Sequence, residues 1–174
     1  VLKEGIYEDH DNRDALLALA RFRSSAGDDL VGLDDYVGRM KPGQEAIYTI
    51  TGGEAEALAL SPQLEGFRAH GVEVLLLTDP IDEFWVPAVA SYQEKPFVSA
   101  TRGDADFSAI EAADDGDAAA KEKQDKAKQK AAQGVEPLVA ALKASLGEAV
   151  KDVRVSSRLT DSACCLVADA ESGR

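Results

Sequence analysis

The chain has only two cysteines, Cys164 and Cys165, and they are adjacent. Neighbouring thiols cannot staple distant segments and do not have metal-ligand spacing, so neither a disulfide framework nor a zinc site is expected. If this stretch is a strand, one thiol points into the core as a small hydrophobe and the other outward, where it is a candidate redox-sensitive group. Basic charge is also scarce: 19 Lys plus Arg stand against 32 Asp plus Glu, a net charge of -13. Such a surface repels phosphate backbones and anionic lipids, so neither nucleic acid nor membrane is expected as a partner. No apolar run reaches the ~20 residues of a membrane span, and the first 30 residues lack a secretory layout. A cytoplasmic location is the resulting expectation. There is no methionine at Val1, and Gly173-Arg174 closes an apolar run, so both termini read as cuts in a longer protein.

The organising stretch is Val72-Glu-Val-Leu-Leu-Leu-Thr-Asp-Pro-Ile-Asp-Glu-Phe-Trp85. Val72 to Leu77 reads as a strand buried on both faces, as in a parallel sheet. Thr78-Asp79-Pro80 ends it at the carboxyl end, where open α/β sheets carry their working surfaces. Ile81, Phe84, Trp85 and Val86 then sit among Asp82 and Glu83, an acidic and aromatic edge that is the candidate functional surface.

Upstream, Glu8 to Arg13 opens a helix with Asp9 or Asp11 as N-cap, and Leu16, Leu17, Leu19, Ala20 and Phe22 form its apolar stripe. Asp9, His10 and Asp11 do not make a metal site, since neighbours at a helix start diverge and no second cluster completes the set. Ser24 to Asp29 reads as a polar loop and Leu33 to Met40 as a short helix before the breaker Lys41-Pro42-Gly43. Ala46 to Thr51 is a strand, and Gly52-Gly53 turns it into a helix from Glu54 to Leu60. Phosphate binding at that turn is excluded by the missing glycine-loop spacing and by Glu54 and Glu56 in the first helical turn. A second helix, Gln63 to His70, ends at Gly71, with His70 in a structural position. With a helix from Ile81 to Tyr92 and a third strand from Pro96 to Thr101, residues 1–102 form a small α/β/α layer with parallel strands.

Residues 103–119 are acidic and rich in Ala and Gly, which reads as a linker. Lys121 to Gln133 reads as a solvated helix, and Glu136 onward as a second one striped by Leu138, Leu142 and Leu146. Two strands, Val153 to Ser156 and Ala163 to Ala168, would pair beneath it. Residues 120–174 therefore read as the start of an α+β domain that stops short.

Five segments resemble, in order, those of the heat shock protein 90 chaperones in their bacterial form. They are Glu8-Asp9-x-x-Asn12-Arg13; Leu33-x-x-Tyr36-Val37-x-Arg39-Met40; Ile47-Tyr48-x-Ile50-Thr51-Gly52; Pro80-Ile81-Asp82-Glu83 with aromatic Phe84; and Ser157-x-Leu159 through Cys164-Cys165. The resemblance implies that residues 1–102 are the carboxyl-terminal part of a middle domain and 120–174 the start of a dimerisation domain. ATP and Mg would then bind an amino-terminal domain outside this chain, leaving this segment without catalysis or cofactor. It further implies unfolded client proteins as partners and a homodimer in the full protein, with Glu83, Phe84 and Trp85 as the client-binding residues. Pro87 and Glu94 depart from the family pattern. Two other readings fit the residues: a small acid/base enzyme using Asp79, Asp82 and Glu83, and a purely structural connector.

Overall fold

The computed structural model describes residues 2–102, 107, 110, 134–156 and 158–168. It separates into two compact units, Val1–Ala113 with Arg158–Arg174, and Asp114–Ser157. In the first unit the order is α1 (Leu2–Glu8), α2 (Arg13–Leu19), β1 (Phe22–Ser24), β2 (Gly27–Val31), α3 (Leu33–Gly38), β3 (Ile47–Thr51), α4 (Ala55–Ala59), α5 (Glu65–Ala69), β4 (Leu75–Leu77), α6 (Asp82–Val89), β5 (Ser91–Tyr92) and β6 (Lys95–Ser99). The strands form one six-stranded sheet in the order β2-β1-β4-β3-β6-β5.

The centre of the sheet, β4-β3-β6, is parallel. Each parallel step requires a crossover, and α4 and α5 supply the one from β3 to β4. Because side chains alternate across a strand, consecutive leucines of β4 serve opposite cores. Leu75 and Leu77 pack with Ile6, Leu17, Phe22, Tyr36 and Trp85, while Leu76 packs with Ile50, Leu64 and Phe67. Helices thus cover both faces, the α/β/α layering expected from the apolar run in β4. At Gly52 a Cβ would lie 2.6 Å from Leu58 Cδ2, so the glycine after β3 admits the close strand-to-helix packing inferred from sequence.

Several elements differ from expectation. The expected polar loop is an antiparallel hairpin, β1 and β2, that forms one edge of the sheet. Phe22 accordingly lies on β1 in the core, not on the preceding helix. The helix before it starts at Arg13 after Asn12 at the N-cap position; Asp9 instead accepts from the Asn12 backbone N–H at 3.1 Å and Nδ2 at 2.8 Å. The strand expected from Val72 is ladder-paired only over Leu75–Leu77. Val74 bonds the turn after β1: its N–H donates to Ser25 Oγ at 2.9 Å and its carbonyl accepts from Ser25 N–H at 2.8 Å. The expected 81–92 helix stops at Val89, and Ser91–Tyr92 pairs back on β6.

That last hairpin turns through Gln93 and Glu94, with φ of 47° and 63°. Left-handed backbone at a residue with a Cβ costs about 1 kcal/mol or more. Glu94→Gly is therefore expected to stabilise the fold by about 1 kcal/mol, measured as a raised urea midpoint at unchanged slope.

The first unit also contains residues assigned by sequence to the linker and the later domain. Phe107 and Ile110 are buried with Phe67, and His70, whose Nδ1–H donates to the Gly66 carbonyl at 2.7 Å, stacks on Phe107 at 4.4 Å. Residues 158–168 return to α5. The Glu65 carboxylate accepts the backbone N–H of Thr160 at 2.8 Å, Asp161 at 3.0 Å and Ser162 at 3.2 Å, together with the Ser162 hydroxyl. The Ser162 hydroxyl, then the Asp161 and Thr160 amides, hold the Glu65 carboxyl down from 4.5 to about 2. Stabilisation from a lowered carboxylate is complete above the unfolded pKa and disappears as pH falls through the folded one. The Thr160, Asp161 and Ser162 amide resonances are therefore expected to hold constant above about pH 4.5 and to move toward unfolded positions as pH drops to about 2.

No strand is present over 153–156, and 163–168 carries only an isolated bridge from Ala168 to Arg102, so the expected strand pair does not form. The residues just before the second expected strand, Thr160 to Ser162, give their amides to the Glu65 side chain. Without the strand, the two thiols do not face opposite ways by register: Cys164 is exposed and Cys165 partly covered.

In the second unit residues 134–146 are helical, followed by a 3-10 turn, Gly147–Ala149, with Lys143 paired to Asp152 at 2.6 Å. Leu138, Leu142 and Leu146 lie along this helix, each more than two-fifths exposed. The helix expected over Lys121 to Gln133 and most of the expected linker lie outside the described residues.

Candidate functional site

The acidic and aromatic edge sits on α6, directly beyond the carboxyl end of β4. Adjacent helical residues point about 100° apart, so Phe84 and Trp85 cannot share a surface. Trp85 is 0% exposed and Phe84 58%. The Trp85 ring meets Phe22 at 5.7 Å and Phe97 edge-on at 5.5 Å. Trp85 is therefore a core anchor and presents no binding surface, which corrects its assignment as a client-contacting residue. Glu83 and Phe84 remain on the outside.

What turns Trp85 inward is Asp82, one turn earlier and itself fully buried. Its Oδ1 accepts the indole N–H at 2.6 Å. Its Oδ2 accepts the Asp79 N–H at 3.1 Å and Lys3 Nζ at 3.0 Å. Lys3 also pairs with Asp79 at 2.5 Å and lies 5.1 Å over the Phe22 ring. A buried carboxylate is tolerable only when it is paired and hydrogen-bonded, and here both oxygens are occupied. The knot ties α1 to α6 and closes the turn that leaves β4.

Of the three carboxylates proposed for acid/base work, Asp79 and Asp82 meet at Lys3 while Glu83 does not join them. Asp82 points into the core, Asp79 is held by Lys3, and Glu83 faces solvent, so no common point lies within reach of all three. Pro87 supplies no N–H to the Glu83 carbonyl one turn before it, which leaves that acceptor on the same exposed stretch.

Around Phe84 the structure adds residues that the sequence did not single out. Tyr7 stacks edge-on against Phe84 at 6.3 Å. Leu2, Leu19, Ile81 and Phe84 line an open groove between α1, α2 and α6, with Lys3, Arg21 and Asp79 at its border. Leu19, expected in the inner stripe of its helix, is 63% exposed, and Tyr7 is 43% exposed. Scattered surface hydrophobes are ordinary, but Leu2, Leu19 and Ile81 in one groove beside the exposed Tyr7–Phe84 pair form a patch. Its signal in the sequence is faint: Leu2 and Tyr7 precede any recognisable period, and Leu19 fits a helical stripe equally well. Among the described residues, no helix is long and apolar enough to cross a membrane.

Comparison with known proteins places these features in context. The family model described as Hsp90 protein matches residues 1–173. The chaperone protein HtpG of Paramagnetospirillum magneticum is 58% identical over 168 residues, covering 97% of this chain and 26% of that protein. HtpG of Rhodospirillum rubrum is 54% identical over 170 residues, with the same coverage of each. The chain thus spans about a quarter of the length of the curated relatives it matches. Among solved structures, the middle domain of a Plasmodium falciparum heat shock protein superposes with a TM-score of 0.55 at 33% identity, over 59% of this chain and 43% of that one.

Proposed function

The chain belongs to the Hsp90 family, and from that premise we propose that it serves a chaperone as client-binding surface and as junction between two domains. In this reading residues 1–102 are the later part of the middle domain, 103–119 a link, and 120–174 the opening of the dimerisation domain. ATP and Mg act in a domain outside this chain, and the segment itself performs no chemistry. The full protein is a cytoplasmic homodimer whose partners are partly unfolded proteins, with neither nucleic acid nor membrane among them.

The observation that carries the proposal is Phe84, a large aromatic held out to solvent beside Tyr7 and Glu83 on a helix locked from beneath by Trp85. An aromatic anchor offers large area with few rotors to freeze, and acidic neighbours favour basic, unfolded segments. The groove gives such a segment an apolar floor without sequence-specific polar contacts. Phe84→Ser is expected to weaken capture of a stably unfolded, basic client by about ten-fold, read by fluorescence anisotropy of the labelled client. Urea stability should stay within about 0.5 kcal/mol, since the ring is mostly outside the core. Unchanged affinity in this variant would leave the segment as a connector.

A further inference from the structure

We infer that Glu65 is a positioning residue, a carboxylate clasp that seats the chain entering the later domain on the middle-domain helix α5. The inference rests on the domain reading above and adds to it the residue that sets the junction. Three consecutive amides, of Thr160, Asp161 and Ser162, converge on one carboxylate, and the Ser162 hydroxyl joins them. Consecutive N–H groups turned toward one point make an anion-binding nest, here filled by a side chain of a distant segment. Both Glu65 oxygens are used, so the clasp fixes orientation as well as distance.

The next residue makes the fit specific. A Cβ on Gly66 would lie 3.0 Å from the Arg158 carbonyl oxygen and 3.1 Å from its Cα, so the returning chain rests directly on α5 backbone. Two further bonds extend the seat: Gln63 Nε2 donates to the Leu166 carbonyl at 2.6 Å, and Arg158 Nη1 donates to the Ala100 carbonyl at 2.8 Å. Arg158 is 1% exposed and Glu65 7%, although both belong to residue types that are seldom covered. A buried carboxylate and a buried guanidinium, each spent on backbone of the opposite segment, are costly as mere packing but well suited to registering one chain segment on another.

The test uses the full-length protein with two variants that attack the clasp differently. Glu65→Gln removes the charge and replaces one acceptor with a donor, whereas Gly66→Ala keeps the carboxylate and wedges the Arg158 backbone away. Both are expected to raise amide hydrogen exchange at Thr160, Asp161 and Ser162 by about ten-fold while exchange in the β3 and β4 strands stays within about two-fold. Both should also shrink the nucleotide-driven change in distance between labels at Asp28 and Lys143, while capture of an unfolded client persists. Unchanged exchange at the three amides, or a rise spread evenly through the sheet, would overturn the clasp. Raised exchange with an unaltered label distance would keep the clasp and overturn the domain reading.

Discussion

Asp82→Ala is expected to cost about 3–5 kcal/mol, the range for removing one partner of a buried charged pair. The variant strands three donors at once: the Trp85 indole, the Asp79 amide and Lys3 Nζ. Lys3 is the worst placed, since its side chain is only 18% exposed and lies over Phe22. Domains of this size carry about 5–15 kcal/mol in all, so the loss takes a large share of the total. Urea unfolding followed by the emission of Trp85, the only tryptophan, measures it directly. Asp82→Asn keeps one acceptor and loses the pairing charge, so it should fall between the parent and the alanine variant. If Asp82→Ala unfolds at the parent midpoint, the knot contributes no stability and α6 is held by packing alone.

Trp85→Ala should be comparably severe, at about 3–5 kcal/mol, because the core cannot close over the space left between Phe22 and Phe97. Its diagnostic companion is Trp85→Phe, which retains most of the apolar contact and removes the donor to Asp82 Oδ1. Loss of that single bond should cost about 1–3 kcal/mol. Combined with Asp82→Ala, the Trp85→Phe cost should largely vanish, giving a coupling of about 1–3 kcal/mol between the two positions. Far-UV circular dichroism is the readout here, since these variants lack the fluorophore. Strict additivity would mean that Asp82 and Trp85 stabilise α6 independently.

Much of the central architecture was legible because it is written in local pattern. The apolar run that contains β4, the aliphatic and β-branched residues of β3 and the breakers between them indicate parallel strands with crossovers, and the sheet has them. The β1–β2 hairpin was hidden because β2 is an exposed edge strand, with Asp28 and Asp29 where a half-buried strand would alternate. In the candidate site, composition pointed to α6 but could not choose between two adjacent aromatics. The spacing of Asp82 and Trp85 was the available cue, since residues three apart share a helix face and a carboxylate there can receive an indole N–H. Lys3 carried no cue, for its partners come 76 and 79 residues later. Val153–Ser156 and Ala163–Ala168 read as strands from their composition, but the second makes only the Ala168 bridge to Arg102, while the unassigned residues before it give their amides to a distant carboxylate.

The clasp at Glu65 also imposes a timetable on synthesis. Ribosomes add about 5–20 residues per second, so the 95 residues between Glu65 and Thr160 separate the carboxylate from its first amide by on the order of 5–20 s. During that interval the residues of β3, β4 and β6 have already been made, but the Glu65 carboxylate on α5 still has none of these three amides to accept from. Completion of this fold is thus postponed until residues 160–162 have left the exit tunnel.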